Sequence, residues 1–268
     1  MSKTFTLMRK RQRDRRYLLR GAVAAAGAAM LTGCDRLSNN PSFVETLKSA
    51  QNLSHAAGRI VAPKSAMAQE FSEKDVPANF RGNGTLDPGD ADYKALKQGG
   101  FADYKLTVSG LVETPGEYTL AQLRAMPSRT QITRHDCVEG WSCIGKWKGV
   151  PLGLLLDAAR PKAEAKFVVF RCFDSMEGPT LDGRDSRYYE SIDLDEAHHA
   201  QTILAYDLND KALPVINGAP LRCRVERQLG YKQAKYVKAI ELVASFAGIR
   251  GGKGGYWEDE GYEWYGGI

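Results

Sequence analysis

His135-Asp136-Cys137-Val138-Glu139-Gly140-Trp141-Ser142 is the stretch on which the reading of this chain turns. Residues 131–137 read as a strand, and a cysteine closing it ahead of Glu-Gly-Trp stands where the chain turns and its sulfur can face a cleft. A thiolate is a soft ligand, better matched to a soft, redox-active metal than a carboxylate is. No histidine stands at ordinary metal-ligand spacing from Cys137, so a mononuclear Cys/His site is not built here. A metal carried in by an organic ligand needs only one protein ligand, and a lone cysteine fits that. Spacing alone chooses no metal, and an inert buried side chain is the default for a single cysteine. His135 shares the face of Cys137, because alternate strand residues point the same way. A donor to a bound oxyanion and a structural role are equally open for it.

Outward from this stretch, short strands alternate with short helices. Residues 105–112 alternate as a strand. Thr119 caps a helix through Met126 that Pro127 ends, and Pro151 opens another over 152–159. Residues 167–170 make a short buried strand, Asp193 or Asp195 begins a helix through His199, and 202–206, 221–225 and 236–243 are further strands. The pattern predicts a mixed α+β domain without internal repeats. Residues 79–89 form a turn-rich loop whose glycines allow close backbone approach to a ligand or merely shape a surface loop. His198 and His199, adjacent on a helix, point apart and do not suit one shared metal. Residues 251–265 mix glycines with aromatics: a flap or docking surface at a substrate entrance, or, as expected, an aromatic tail closing the core.

The formal charge of +5 is unevenly placed. Residues 1–34 hold eight basic side chains against Asp14, which leaves −2 on the remainder. A nucleic-acid footprint disappears with that segment, and nucleic-acid binding is not expected. The apolar run at 21–33 is too short to span a hydrocarbon core of about 30 Å as a helix and fits a signal peptide. Arg15-Arg16-Tyr17-Leu18-Leu19-Arg20 resembles the twin-arginine export motif, whose machinery moves folded proteins and so predicts a cofactor loaded before export. Leu31-Thr32-Gly33-Cys34 resembles a lipobox, implying a lipid anchor on Cys34, and Asp35 implies retention at the inner membrane. The expected organisation is a leader over 1–34, a tether and N-terminal arm over 35–80, and one catalytic domain over 81–268. The protein is expected to be periplasmic and anchored by lipid, not spanning. Cys143, Cys172 and Cys223 are expected as small buried apolar residues, and no C-x-x-C supports a dithiol or zinc ribbon.

Cys137-Val138-Glu139-Gly140-Trp141-Ser142 resembles the metal-cysteine segment of the sulfite oxidase superfamily. It is most similar to the periplasmic, twin-arginine-exported branch that contains the protein-methionine-sulfoxide reductase catalytic subunits. The resemblance continues in order through Gly149-Val150-Pro151-Leu152, Ala165-Lys166-Phe167-Val168, the run from Lys211 to Arg222, and Gly230 to Val237, covering about residues 81–245. It implies a sulfite-oxidase-type molybdopterin-binding fold and a molybdenum–molybdopterin cofactor, with Cys137 as catalytic centre and metal ligand. By the same resemblance Asn217 and Arg222 hold the cofactor, Gln233, Ala234 and Lys235 offer backbone donors and an ammonium to its phosphate end, and Asn83 is a further contact. Where that branch has a cofactor-contacting threonine this chain has Cys172, leaving either a backbone contact or none. Cys143 is expected to pack, with an inhibitory disulfide to Cys137 as the alternative. The segment 173–178 through Tyr188-Tyr189 departs from the branch, and such loops form the substrate mouth.

The function implied is oxygen-atom transfer, coupled to two-electron chemistry, on a small S- or N-oxide or a sulfite-like substrate. With no C-x-x-C-H for haem attachment, electrons are expected from or to a separate partner, a membrane haem protein or a cytochrome. The alternative is a cofactor-free periplasmic lipoprotein acting as a binding module. Zinc hydrolysis lacks its H-E-x-x-H spacing.

Overall fold

Period-two alternation and short capped helices build the architecture seen in the computed structural model, which describes residues 40–44, 46, 53, 63, 65–181 and 184–268. The twin-arginine stretch, the lipobox and Cys34 lie outside the described residues. Chain contacts divide the protein into Met1–Ala62 and Pro63–Ile268. In the first unit the Asn40 side chain accepts from the backbone N–H groups of Ser42 and Phe43 and caps a helical turn at 41–44. No helix among the described residues is long and apolar enough to cross a membrane.

The second unit runs α1 (Ala91–Gln98), β1 (Lys105–Gly110), β2 (Gly116–Thr119), α2 (Leu120–Ala125), β3 (Arg129–Asp136), β4 (Ser142–Pro151), α3 (Leu152–Ala159), β5 (Phe167–Leu181), β6 (Arg184–Asp193), α4 (Leu194–Ala197), β7 (Ile203–Leu208), β8 (Lys211–Ala212), β9 (Arg222–Arg224), β10 (Val237–Val243) and α5 (Tyr256–Asp259). One sheet has the order β2-β1-β10-β5-β6, with β1 and β10 parallel. The other has the order β3-β4-β7-β8, with β9 also paired to β7. The expected α+β class is thus observed as one mixed and one antiparallel sheet with short helices.

The local reasons are those of the sequence. Thr119 caps α2 by accepting from Gln122 N–H, and Gln122 answers from its side chain, a capping box. Asp193, not Asp195, caps α4. On α3, Leu152, Leu155, Leu156 and Ala159 recur at helical spacing and are fully buried. Each leucine contributes about 2 kcal/mol of burial. They join side chains of both sheets in the main core, with Leu204 and Tyr206 of β7. Ile203, Ala205 and Leu208 face the opposite way, into a smaller cluster around Phe80 and Trp147. The change of parity between Ala205 and Leu208 follows from a bulge, since Lys148 pairs Asp207 while Gly149 pairs Ala205.

Six elements lie outside the sequence pattern, among them the two-residue β8 and the four-residue α5. β4 carries Gly145 and Gly149, and α1 has one buried residue, Tyr93. β2 is four residues long, and β6 is rich in charge. The strand at 167–170 extends to Leu181, past Gly178-Pro179, pairing irregularly with β6. Residues 66–80, grouped with the arm on sequence, run against the β-structure. Glu70 bridges Thr133, Phe71 N–H donates to Ile132, and Gln201 exchanges hydrogen bonds with the backbone of Ala68.

Candidate active site

Strand β3 buries polar side chains on its inner face: Gln131, Thr133 and His135. The same parity delivers Cys137, one residue past the strand, to the end of that row. There the chain turns, with Gly140 N–H donating to Cys137 O and Cys137 N–H to Trp141 O, both at 3.0 Å. Gly140 sits at φ +82, a conformation that favours glycine, and this accounts for the Glu-Gly-Trp that follows the cysteine. Cys137 is a free thiol, 9% exposed. Burial pushes its pKa up, while Arg222 and Arg81 pull the other way.

Behind the thiol lies an unusual charge arrangement. Arg222 and Arg224 share one face of β9, both fully buried, with their guanidinium carbons 5.3 and 4.3 Å from the Trp147 ring centre. Arg224 is fully engaged: it pairs with Glu226 at 2.6 Å and donates to Gln233 Oε1 and to His135 Nδ1. Arg222 donates only one hydrogen bond, from Nη1 to the Asn217 carbonyl at 3.1 Å, and its Nε and Nη2 are buried without partners. Burial and Arg224 lower its pKa to about 9. The Asn217 Nδ2 is likewise buried and unpartnered. An uncompensated buried guanidinium is costly, and this donor set fits an anionic, oxygen-rich ligand beside a thiol.

In front of this floor is a cavity of about 230 Å³. Its polar lining includes Asn83, Thr85, Cys137, Glu139, Asp174, Gln233 and Lys235. Lys235 donates to the carbonyls of Asn83 and Thr85 and so ties the 79–89 loop to the site. Burial and Arg222 push the Lys235 ammonium pKa down, and burial pushes the Asp174 carboxyl up, each partly offset by the other. Asp174 Oδ1 is buried without a partner. The apolar lining is Val138, Met176, Tyr188, Tyr231, Trp257 and Tyr262.

The structure therefore brings Asn83, Cys137, Gln233 and Lys235 to one cavity, while Asn217, Arg222, Ala234 and Cys172 are buried and do not line it. Gln233 spends its side chain on Arg224, Val225 and Gln228 and its backbone N–H on Gly230. Cys172 pairs with Val237 inside the first sheet, and burial raises its pKa. Cys143 is half-buried, free, and packed against the cluster of Phe80 and Trp147. His135 is fully buried, and burial with Arg222 and Arg224 holds its pKa well below the usual histidine value. Its Nε2 has no partner, and a Cβ on Gly230 would lie 2.5 Å from that atom, so position 230 demands glycine. His198 bonds Leu194 and Asp157, whereas His199 bonds Ala66 and Gln201. Sequence reasoning did not single out Arg224, Glu226 or Thr85: Arg224 and Glu226 pair two residues apart, but only the fold brings His135 to Arg224 and Lys235 to the Thr85 carbonyl.

Residues 94–247 match the family described as the oxidoreductase molybdopterin binding domain. The chain belongs to that family. A chain provisionally named protein-methionine-sulfoxide reductase subunit YedZ1, from Azospira oryzae, is 34% identical over 94% of this chain and 87% of its own length. The protein-methionine-sulfoxide reductase catalytic subunit MsrP of Xanthomonas campestris is 34% identical over 86% of this chain and 70% of its own. Among solved structures, the sulfane dehydrogenase SoxCD of Paracoccus pantotrophus is 24% identical and covers 56% of this chain and 40% of its own, with a TM-score of 0.49. As a member of the family, this molybdopterin oxidoreductase uses a molybdenum–molybdopterin cofactor, which the unpartnered donors of Arg222 and Asn217 suit.

Proposed function

We propose that this oxidoreductase is an exported reductase of organic S-oxides of the methionine sulfoxide type. The observation that carries the reading is the uncompensated Arg222 guanidinium, buried with the unpartnered Asn217 amide beside the cavity that holds the Cys137 thiol. The substrate class is drawn from relatives named as protein-methionine-sulfoxide reductase subunits. Cys137 is the metal ligand in this reading. Arg222, Asn217 and Lys235, with Asn83 and the backbone at Ala234, hold the anionic pterin, and Cys172 packs behind them. When bound, the cofactor supplies two-electron oxygen-atom-transfer chemistry.

The overall reaction takes an S-oxide, two electrons and two protons to a thioether and water. The chain's own contribution is orientation, exclusion of water and proton placement. Asp174 stands in the cavity with an unpartnered Oδ1, and burial pushes its carboxyl up to about 6, which places a group able to exchange a proton near neutral pH beside the substrate. Electrons come from a separate subunit, a membrane haem protein or cytochrome, in keeping with relatives named as catalytic subunits. The resemblance of Arg15-Arg16 to a twin-arginine motif and of the stretch ending at Cys34 to a lipobox supports the exported, lipid-anchored part of this reading.

The test offers cofactor-loaded enzyme methionine sulfoxide, dimethyl sulfoxide, an N-oxide and sulfite, with reduced viologen as donor and ferricyanide as acceptor. Viologen oxidation by the sulfoxides is expected, and oxidation of sulfite alone overturns the proposed direction. Protein from a cofactor-competent host that carries neither molybdenum nor pterin overturns the cofactor assignment. An Arg15-Arg16→Lys-Lys variant is expected to stay in the cytoplasm, and Cys34→Ser to lose its lipid.

A further inference from the structure

The family match ends at residue 247, yet two aromatic side chains of the cavity, Trp257 and Tyr262, come from beyond it. The segment that carries them is firmly built into the domain. Glu258 and Lys232, both fully buried, pair at 2.5 Å, and Lys232 also pairs with Glu190. Asp259 accepts from the Tyr189 hydroxyl at 2.6 Å and from the N–H groups of Gly251 and Lys253. The Trp264 indole donates to Ser191 at 2.9 Å, and Gly267 bridges Gln228. The expected role of closing the core is met by Tyr256, which is buried in the main core with Trp257 packed against it, while Trp257 and Tyr262 also reach the cavity.

At the cavity the aromatics form a continuous surface. Trp257 stacks on Tyr262 with ring centres 5.3 Å apart and an interplanar angle of 29°, and Tyr262 meets Tyr231 edge-on at 5.3 Å. Val138, Met176 and Tyr262 are about 40% exposed at the cavity, and exposed apolar side chains gathered at a concave site mark a ligand. The charges there disfavour a small inorganic dianion. Lys235 is the one cation among the described lining residues, and its ammonium is committed to the Asn83 and Thr85 carbonyls. The carboxyl groups of Glu139 and Asp174 line the same space. A neutral S-oxide with apolar arms meets favourable sulfur–aromatic and apolar contacts instead.

We infer that the C-terminal segment is the specificity wall of the site. Trp257 and Tyr262, with Tyr231 and Met176, hold the alkyl arm of an organic S-oxide and disfavour inorganic oxyanions. The inference rests on the S-oxide reading above for its substrate class, and an unreactive analogue tests it separately.

The experiment measures binding of N-acetyl-methionine sulfone methylamide and of dimethyl sulfone to cofactor-loaded, full-length protein by calorimetry. Tyr262→Ala should weaken the larger sulfone by about tenfold, the scale of a lost apolar pocket contact. The smaller sulfone should lose less, so the affinity ratio falls. Tyr262→Phe restores the ratio, and Tyr262→Leu, which keeps bulk, serves if the alanine variant does not fold. In turnover, the ratio of kcat/KM for the matching methionine sulfoxide over dimethyl sulfoxide falls by a similar factor, carried by KM. Equal losses for both sulfones, no loss, or sulfite competing at concentrations like those of the larger sulfone overturns the wall. Failure of the native protein to bind the larger sulfone does so too. Sulfone binding without reduction of any sulfoxide sinks the reductase reading and leaves the wall standing.

Discussion

The floor of the site and its mouth are built on opposite principles. The floor is polar and sealed: Arg222, Arg224, Asn217 and His135 are buried, and Arg222 and Asn217 keep donors unpartnered. The mouth is aromatic and partly open, its rings satisfied by one another at Trp257, Tyr262 and Tyr231. A buried unpaired donor is expensive by itself and is repaid by a ligand that stays. An exposed aromatic surface costs little when empty and suits a ligand that comes and goes. The contrast separates holding a cofactor from sorting substrates.

The contrast breaks most visibly at the floor. Cys137→Ser should lose molybdenum and cut activity at least about a hundredfold, beyond what an outer-sphere partner costs. Metal analysis and viologen turnover check this, and full activity would remove Cys137 from the site. Arg222→Met should act with opposite signs on two measurements. Without cofactor, the variant is expected to be more stable by about 1–4 kcal/mol, because an uncompensated buried charge is gone. Its hold on the pterin should weaken by about 2–5 kcal/mol, the cost of truncating one side of a buried charge pair. Denaturant melts of cofactor-free protein and pterin retention read the two, and an unloaded variant less stable than the parent would count against a cofactor-directed charge.

A smaller effect concerns pH. His135 is held neutral by burial and by Arg222 and Arg224, while an unfolded histidine takes up its proton near pH 6.5. Below that value the unfolded chain binds more protons, so stability falls as pH drops, by up to about 1.4 kcal/mol per unit for this one group. His135→Gln should lose that part of the slope. An unchanged slope in melts between about pH 7 and 5 rules it out. Smallest of all is Cys143→Ser, which should leave molybdenum content unaltered, since Cys143 is free and packs beside Phe80 and Trp147. Loss of metal in that variant would move the boundary of the floor.

Legibility followed the range of the interactions. Helices α2, α3 and α4 were readable because Thr119, Pro151 and Asp193 act within one turn of themselves. The β3 strand and the turn at Cys137 were readable from alternation and Glu-Gly-Trp. β4 was missed because its glycines serve distant neighbours: a Cβ at Gly145 would strike Phe80 and Trp147, and one at Gly149 the backbone of Leu204. β5 was cut short because Gly178-Pro179 breaks the local pattern while pairing with β6 continues it. Of the candidate cofactor residues, family resemblance pointed to Arg222; Glu226, two residues beyond Arg224, neutralises that arginine, and only the fold decides that Arg222 finds no such partner.

By itself the sequence determined that a cysteine ends a strand at a tight turn, that short strands and capped helices surround it, and that an ordered set of blocks places it in a molybdopterin-binding family. These are local or cumulative properties, and neighbours along the chain suffice to express them. Only the tertiary structure decided which arginine stays unpaired, which of the candidate residues share a cavity with Cys137, and that the C-terminal aromatics wall it. Those outcomes depend on burial and on which groups folding brings together, near in sequence as for Arg224 and Glu226 or far apart as for Lys235 and Asn83, with desolvation setting the energy of each.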